Sequence, residues 1–314
     1  MPPKLLAVVG PTASGKTRLA VELALRYNGE VVSADSMQIY RRMDIGTAKP
    51  TFGEMQGVPH HMLDVASPEE DFSVARYVEL AIPCVEDILS RGKLPILAGG
   101  TGLYIDSLLS GRTFAAYSPE NPLRRELEAR FAQQGGEAML AELAQVDPDS
   151  AEKLHPNDAK RIIRALEVYQ TTGKTIAQHN RETQTLPPRY DALRIGLRFE
   201  DRGDMWAQID RRVDQMMDQG LLDEVRALLD SGLPPRCTAM QAIGYKELAP
   251  AVEHPERLED AVAEIKLRSR QYAKRQLTWF GRNPEVRWHS WNKNPDFAQA
   301  RRVSTKYMQE HGLV

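Results

Sequence analysis

Near the start of the chain, Gly10-Pro11-Thr12-Ala13-Ser14-Gly15-Lys16-Thr17 fits the pattern G-x-x-x-x-G-K-[ST]. Residue types at this spacing suit one task, holding phosphate. Glycines at both ends let the backbone wrap an anion. The N–H groups of the loop and of the following helix N-terminus point at its oxygens. Lys16 neutralises charge, and the Thr17 hydroxyl can hold Mg²⁺. The pattern lies between an apolar run, residues 4–9, and an amphipathic one, residues 16–26. This strand–loop–helix context argues against a chance glycine loop. Phosphoryl transfer needs a further part, an acid at the end of a later buried strand that helps hold the metal. The candidate strand, residues 94–98, runs instead into Gly99-Gly100-Thr101-Gly102, and the nearest acid, Asp106, is well inside the next helix. The signature is for binding phosphate, without the usual partner for transferring it.

Asp35 directly follows a second β-branched run, residues 30–34. In a parallel sheet the carboxyl ends of strands share one rim, where ligands bind. That brings Asp35, the loop and Thr101 together. Asp35 is a general base or a metal ligand on this reading, and a turn or helix cap on the plainer one. Thr101 is a donor to a phosphate or leaving-group oxygen, or likewise a cap. His60-His61 resembles a metal pair, but adjacent side chains diverge on a strand and share no helix face, so packing or hydrogen bonding is expected.

A second kind of chemistry is carried by charge. Lys266, Arg268, Arg270, Lys274, Arg275 and Arg282 fall in one run with no acid between Glu264 and Glu285. On a helix Lys266, Arg270 and Lys274 form a single stripe, spaced to follow a polyanion backbone. A merely solvated face normally mixes both signs. Residues 261–314 hold eleven Lys/Arg against four Asp/Glu, in a chain whose net charge is −2. The remainder is therefore acidic, and the asymmetry suggests a local anion-binding surface. Trp279 and Phe280 close the run and are expected to pack in the core. A smaller cluster, Lys160, Arg161 and Arg164, and the segment Gln241-Ala-Ile-Gly-Tyr-Lys-Glu247 complete a set suited to a large anionic substrate.

The elements that must position these residues alternate between strand and helix up to about residue 114, the pattern of an α/β parallel sheet. Ser73 can cap a helix running to Ser90, with Gly92 ending it. From Leu123 to about His179 the chain reads as short helices cut at Gly135-Gly136, Asp147-Pro148 and Gly173. Residues 193–199 return to a strand pattern, and the rest reads as helical. The expected fold is a P-loop NTPase-like α/β core, residues 1–114 and 191–314, with an all-helical insertion at 115–190. Apolar residues are 42% and charged residues 27%, which excludes a disordered or fibrous chain. Cys84 and Cys237 form no C-x-x-C pair and read as buried apolar residues. No secretion signal and no membrane-length apolar run is visible, so a cytoplasmic monomer is expected.

Taken together, these segments resemble the bacterial tRNA dimethylallyltransferases, also called tRNA isopentenyl transferases. The matching stretches are residues 10–17, 35–50 (DSMQIYRRMDIGTAKP), 60–64 (HHMLD), 72–77 (FSVARY), 95–104 (PILAGGTGLY), 157–167, 241–247 and 269–280 (SRQYAKRQLTWF). They cover nearly the whole chain in order. The resemblance implies transfer of a dimethylallyl group from dimethylallyl diphosphate to N6 of adenosine 37, in tRNAs reading codons that begin with U. The P-loop would then hold a diphosphate leaving group with Mg²⁺, Asp35 would accept the adenine amine proton, and Thr101 and Arg212 would lie near the diphosphate. It further implies tRNA contacts through Asp35, Ser36, Met37 and Gln38, through Ala159, Lys160, Arg161, Ile162 and Ile163, and through Gln241, Gly244, Tyr245 and Lys246, beside the stripe read from spacing. The helical insertion would hold the anticodon stem-loop. Three rivals remain open: a small-metabolite P-loop kinase, an adenylate isopentenyltransferase, and a non-catalytic RNA-binding ATPase.

Overall fold

The computed structural model describes residues 2–111, 121–178, 181 and 187–314. By contacts the chain divides into two compact units, Met1–Leu109 with Arg189–Val314, and Ser110–Pro188. The expected boundary between residues 114 and 115 lies outside the described residues.

The first unit is built on six parallel strands: β1 Lys4–Val9, β2 Gly29–Ser33, β3 His60–His61, β4 Leu94–Gly99, β5 Asp191–Phe199 and β6 Val286–Trp291. Their order is β3-β2-β4-β1-β5-β6. Leu5 through Val9 are wholly buried, as a central strand covered on both faces requires. Helix α1 (Lys16–Arg26) leaves β1 through the glycine-rich loop, and Leu19, Val21 and Leu23 bury its inner face. Two more early helices are α2 (Phe52–Met55), opened by a Thr51–Glu54 capping box, and α3 (Val74–Ser90), capped by Ser73. Helix α4 (Gly102–Ser110) follows β4. This is the P-loop α/β architecture.

The expectation that everything after residue 199 is helical is wrong at β6. Val286-Arg-Trp-His-Ser-Trp291 pairs with β5 from Arg194↔Val286 to Phe199↔Trp291. Its alternation is only six residues long, between Asn283-Pro284 and the Asn292–Pro295 stretch, and the longer helical period of the basic run masks it.

The second unit is helical over its described residues: α5 (Pro122–Val146), α6 (Pro148–Ala151) and α7 (Ala159–Thr172). Gly135 (φ 81°) kinks α5, Asp147 ends it, and Gly173 in the left-handed region ends α7. Leu127, Met139, Leu143, Ile162 and Leu166 form its core. The remaining helices of the first unit are α8 (Arg202–Asp218), α9 (Leu221–Asp230), α10 (Tyr245–Glu253), α11 (Leu258–Gly281) and α12 (Phe297–His311). Among the described residues, no helix is long and apolar enough to cross a membrane.

One buried charge sits at the sheet end away from the loop. Glu30, only 2% exposed, accepts hydrogen bonds from Arg91, from Lys93 Nζ (2.7 Å) and shares one with His61 Nε2 (2.8 Å). The Arg91 bonds, then those from Lys93 and His61, hold its carboxyl far below the ordinary value near 4.5. A pKa depressed in the folded state adds stability above the unfolded value, and that stability is lost as pH falls. Glu30→Gln should therefore lower stability by roughly 1–3 kcal/mol at pH 7 in urea unfolding. The gap to wild type should narrow as pH drops through the carboxylate range. A constant gap would mean that shape, not charge, is what Glu30 contributes. His61 thus hydrogen-bonds Glu30, and His60 Nδ1 lies 2.9 Å from the Val58 carbonyl, as expected for residues that do not chelate.

Candidate active site

The glycine-rich loop lines a cavity of about 300 Å³ at the carboxyl ends of the strands. Lys16 Nζ donates to the Pro11 carbonyl at 2.6 Å. Burial lowers the Lys16 pKa to about 7, the nearby Arg212 guanidinium adds to this, and the Asp35 carboxylate opposes it. Burial lowers Arg212 as well, against Asp35 and Glu54. Two buried cations crowded together beside Asp35 and Glu54 make an environment that suits an anion. Arg212 reaches the Thr12 hydroxyl at 3.4 Å, so its place beside the loop follows from α8. Thr17 lines the same cavity.

The loop is held from behind by residues distant in sequence. Gln276, on α11, accepts the Thr12 N–H at 2.8 Å and donates to the Gly100 carbonyl at 3.0 Å. A Cβ on Gly100 would lie 2.1 Å from Gln276 Nε2, so this approach needs glycine. Trp291, on β6, donates its Nε1–H to the Ser14 carbonyl at 2.9 Å. That bond turns the Ser14 carbonyl toward the buried Trp291 ring.

Asp35 Oδ1 accepts the Met37 N–H at 2.9 Å, so the residue also makes the turn its plainer reading required. Thr101 Oγ1 accepts the Ser36 N–H at 3.0 Å, joining the two strand ends. Tyr272 completes the group. Burial, reinforced by Asp35, pushes its pKa up to about 12, against hydrogen bonds with Thr101 and Gln276. It therefore stays an O–H donor.

A second cavity, about 270 Å³, adjoins the first and is lined by Met37, Ile209, Val213, Met216, Ile243 and Ile265. Thr12, Ala13, Asp35, Thr47, Ala48, Arg212 and Tyr272 line both cavities. A phosphate cradle and an apolar chamber thus meet at a carboxylate, a guanidinium and a phenol. Among the described residues, no three His, Cys, Asp or Glu side chains cluster as a metal site. Asp106, the acid nearest the candidate strand, instead accepts the Trp279 Nε1–H at 2.8 Å. Trp279 remains 39% exposed while Phe280 is buried, so the core expectation holds for Phe280 alone.

The other candidate residues divide. Ser36, Met37, Gln241 and Gly244 line the apolar cavity, and Gln38 the phosphate cavity. Tyr245 is wholly buried, and Lys246 is exposed beside it. In the helical unit Lys160 and Arg161 are exposed and Ala159 is half-buried, whereas Ile162 and Ile163 belong to that unit's core. The basic stripe faces α8: Lys266 pairs with Asp214 at 2.5 Å and Arg270 with Asp210 at 3.3 Å. Lys274 borders a groove with Trp206 and Leu267. The face of α11 that meets the cavities carries Ile265, Ser269, Tyr272 and Gln276, with Arg275 the one member of the basic run that lines the apolar cavity. Tyr272 and Gln276 lay unremarked inside the 269–280 stretch. Their i, i+4 spacing was the available signal. Glu54 and Trp291 gave none.

Comparison with known proteins meets this geometry. A family profile described as IPP transferase matches residues 38–283. A tRNA dimethylallyltransferase of Acetivibrio thermocellus is 47% identical over 284 residues, 90% of each chain. The tRNA dimethylallyltransferase 1 of Pelobacter propionicus is 50% identical over 91% of this chain and 92% of its own. The crystal structure of the full-length tRNA isopentenylpyrophosphate transferase from Bacillus halodurans is 41% identical, with 98% of each chain covered and a TM-score of 0.72. A eukaryotic dimethylallyltransferase, captured in crystallographic snapshots acting on tRNA, is 30% identical and superposes with a TM-score of 0.83 over 98% of this chain and 80% of that one. With the profile covering most of the chain and relatives near half-identical over nine-tenths of it, the chain belongs to the IPP transferase family, that of the tRNA dimethylallyltransferases.

Proposed function

We infer that the chain transfers the dimethylallyl group of dimethylallyl diphosphate to N6 of adenosine 37, in tRNAs reading codons that begin with U, and releases diphosphate. One observation supports this above the others: the phosphate cradle opens into an apolar chamber, with Asp35 at the junction. A kinase pocket would lead from the phosphates to a polar acceptor and would supply an acid for the metal.

In this reading the loop N–H groups, Lys16 and Arg212 hold the diphosphate, and the apolar chamber takes the prenyl group and the base. As the allylic C–O bond breaks, its electron pair stays on the diphosphate, where preorganised positive charge is most effective. The adenine nitrogen forms the new C–N bond, and its proton passes to Asp35. The Met37 N–H fixes one carboxylate oxygen and leaves the other for that proton. Thr101 accepts from the Ser36 N–H and donates its O–H to the Ser36 hydroxyl at 3.4 Å, a long bond that it would give up to reach a leaving-group oxygen. The adenine must leave its stack to enter the chamber. Thr17 lines the cradle together with the carboxylates of Asp35 and Glu54, and its hydroxyl would hold Mg²⁺ there. Bound there, the ion supplies further positive charge to the departing diphosphate.

The deciding assay incubates the protein with labelled dimethylallyl diphosphate and offers tRNA, AMP or ATP alone. Label in tRNA supports the reading, label in AMP points to an adenylate enzyme, and ATP consumption to a kinase or ATPase.

The RNA surface has its own test. Lys246 and Arg275 border one groove and are exposed. Replacing either by Ala should reduce the slope of log tRNA affinity against log salt by roughly one unit or slightly less. Lys266→Ala and Arg270→Ala should change it less, because Asp214 and Asp210 already neutralise them. Equal changes in all four would mean that these ion pairs open when RNA binds. Lys160 and Arg161 are the corresponding candidates on the helical unit.

A further inference from the structure

The wall facing the P-loop is a stretch of irregular backbone. Gly46, Thr47 and Ala48 line the apolar chamber, and Thr47, Ala48 and Pro50 line the phosphate cavity. Such a wall has no helix or strand ladder to hold it, so its N–H groups need other partners. Three consecutive ones share a single acceptor. Glu224, on α9, accepts from Asp44 N–H (2.8 Å) and Ile45 N–H (2.9 Å) on Oε2, and from Gly46 N–H (3.1 Å) on Oε1. The Tyr245 hydroxyl donates to Oε1 as well. Successive N–H groups turned to one point form an anion-binding nest, and here the chain fills it with its own carboxylate. Gly46 also packs on the Tyr245 ring, where a Cβ would lie 2.5 Å from Cε2.

The far side of the wall is tied separately. Gln38 Nε2 donates to the Thr47 and Ala48 carbonyls at 3.3 and 3.1 Å. Gln38 thus holds the carbonyls and Glu224 the N–H groups. Through Tyr245 the same carboxylate reaches the start of α10, beside Gln241 and Gly244, which line the chamber.

We propose that Glu224 is a positioning residue for the transfer reaction: its carboxylate gathers the 44–46 backbone and the Tyr245 hydroxyl, and so sets the wall against which the prenyl group and the adenine are aligned. The proposal rests on the function inferred above. It places Glu224 outside the diphosphate cradle, so the chemical step should suffer more than donor binding. A misplaced wall disturbs the near-attack geometry, while the P-loop contacts persist.

Glu224→Gln is the informative variant. The amide keeps the side chain's size but offers one oxygen, and its NH₂ faces backbone donors. Turnover with tRNA and dimethylallyl diphosphate should fall roughly 10–100-fold, with the donor dissociation constant changed less than about 3-fold. Tyr245→Phe, which removes one of the four bonds, should show a smaller loss of the same kind. Hydrogen exchange, which needs no activity, should quicken at residues 44–48 and leave the P-loop as in wild type. Wild-type product formation checks the functional reading separately, so failure of either can be told apart. Unchanged turnover in Glu224→Gln with faster exchange at 44–48 would overturn the proposal. So would faster exchange throughout the α/β unit with equal losses in turnover and donor binding, because that pattern marks a purely structural residue.

Discussion

Asp35→Asn should lower the turnover of dimethylallyl transfer by roughly 10²–10⁴, the usual span for loss of a general base. The amide has nearly the shape of the carboxylate and can still accept the Met37 N–H, so the turn after β2 should persist. The apolar chamber and the exposed cations are untouched, and tRNA affinity should stay near wild type. Single-turnover measurements with saturating tRNA and donor isolate the chemical step. If Asn at this position sustains wild-type turnover, Asp35 serves only the turn, and the proton leaves by another route.

Lys16→Ala should slow the chemical step by about 10²–10³, comparable to removing one preorganised donor from a developing oxyanion. Dimethylallyl diphosphate should also bind more weakly, since the ammonium meets charge already present in the ground state and increasing in the transition state. Arg212 remains beside the loop in this variant, so some capacity to hold the diphosphate should survive. Isothermal titration with the donor and single-turnover kinetics with tRNA separate the two effects. ATP should compete through its phosphates without being consumed. Stoichiometric ATP hydrolysis coupled to product would overturn the transferase reading outright. Loss of donor affinity with unchanged single-turnover rate would reassign Lys16 to simple binding.

What was legible in the sequence was mostly local. The glycine-rich loop could be read because backbone flexibility, the start of a helix and a lysine are the parts of a phosphate-binding pattern, and all lie within eight residues. Strands β1, β2 and β4 could be read because burial on both faces leaves continuous apolar runs, and β5 because apolar and basic residues alternate along it. Asp35 and Thr101 followed from topology, since parallel strands end at one rim. Contacts that depend on two distant segments meeting were decided only in the tertiary structure. Gln276 joins Thr12, 264 positions away, to Gly100, 176 positions away, and Trp291 reaches Ser14 across 277. The i, i+4 spacing of Tyr272 and Gln276 says that they share a helix face but not what that face meets, and nothing near Trp291 signals a partner. The basic stripe shows the same limit. Its helical spacing was right, but spacing cannot tell which side a helix turns to its neighbour, and packing of α11 beside α8 turned Lys266 and Arg270 to acids. Ile162 and Ile163 likewise became core, because two apolar residues on a short helix are first claimed by burial. Periodicity and local chemistry thus picked out the glycine-rich loop and the rim residues, while the face each helix presents, and therefore what lines the cavity beside that loop, was decided by the packing of segments far apart in the chain.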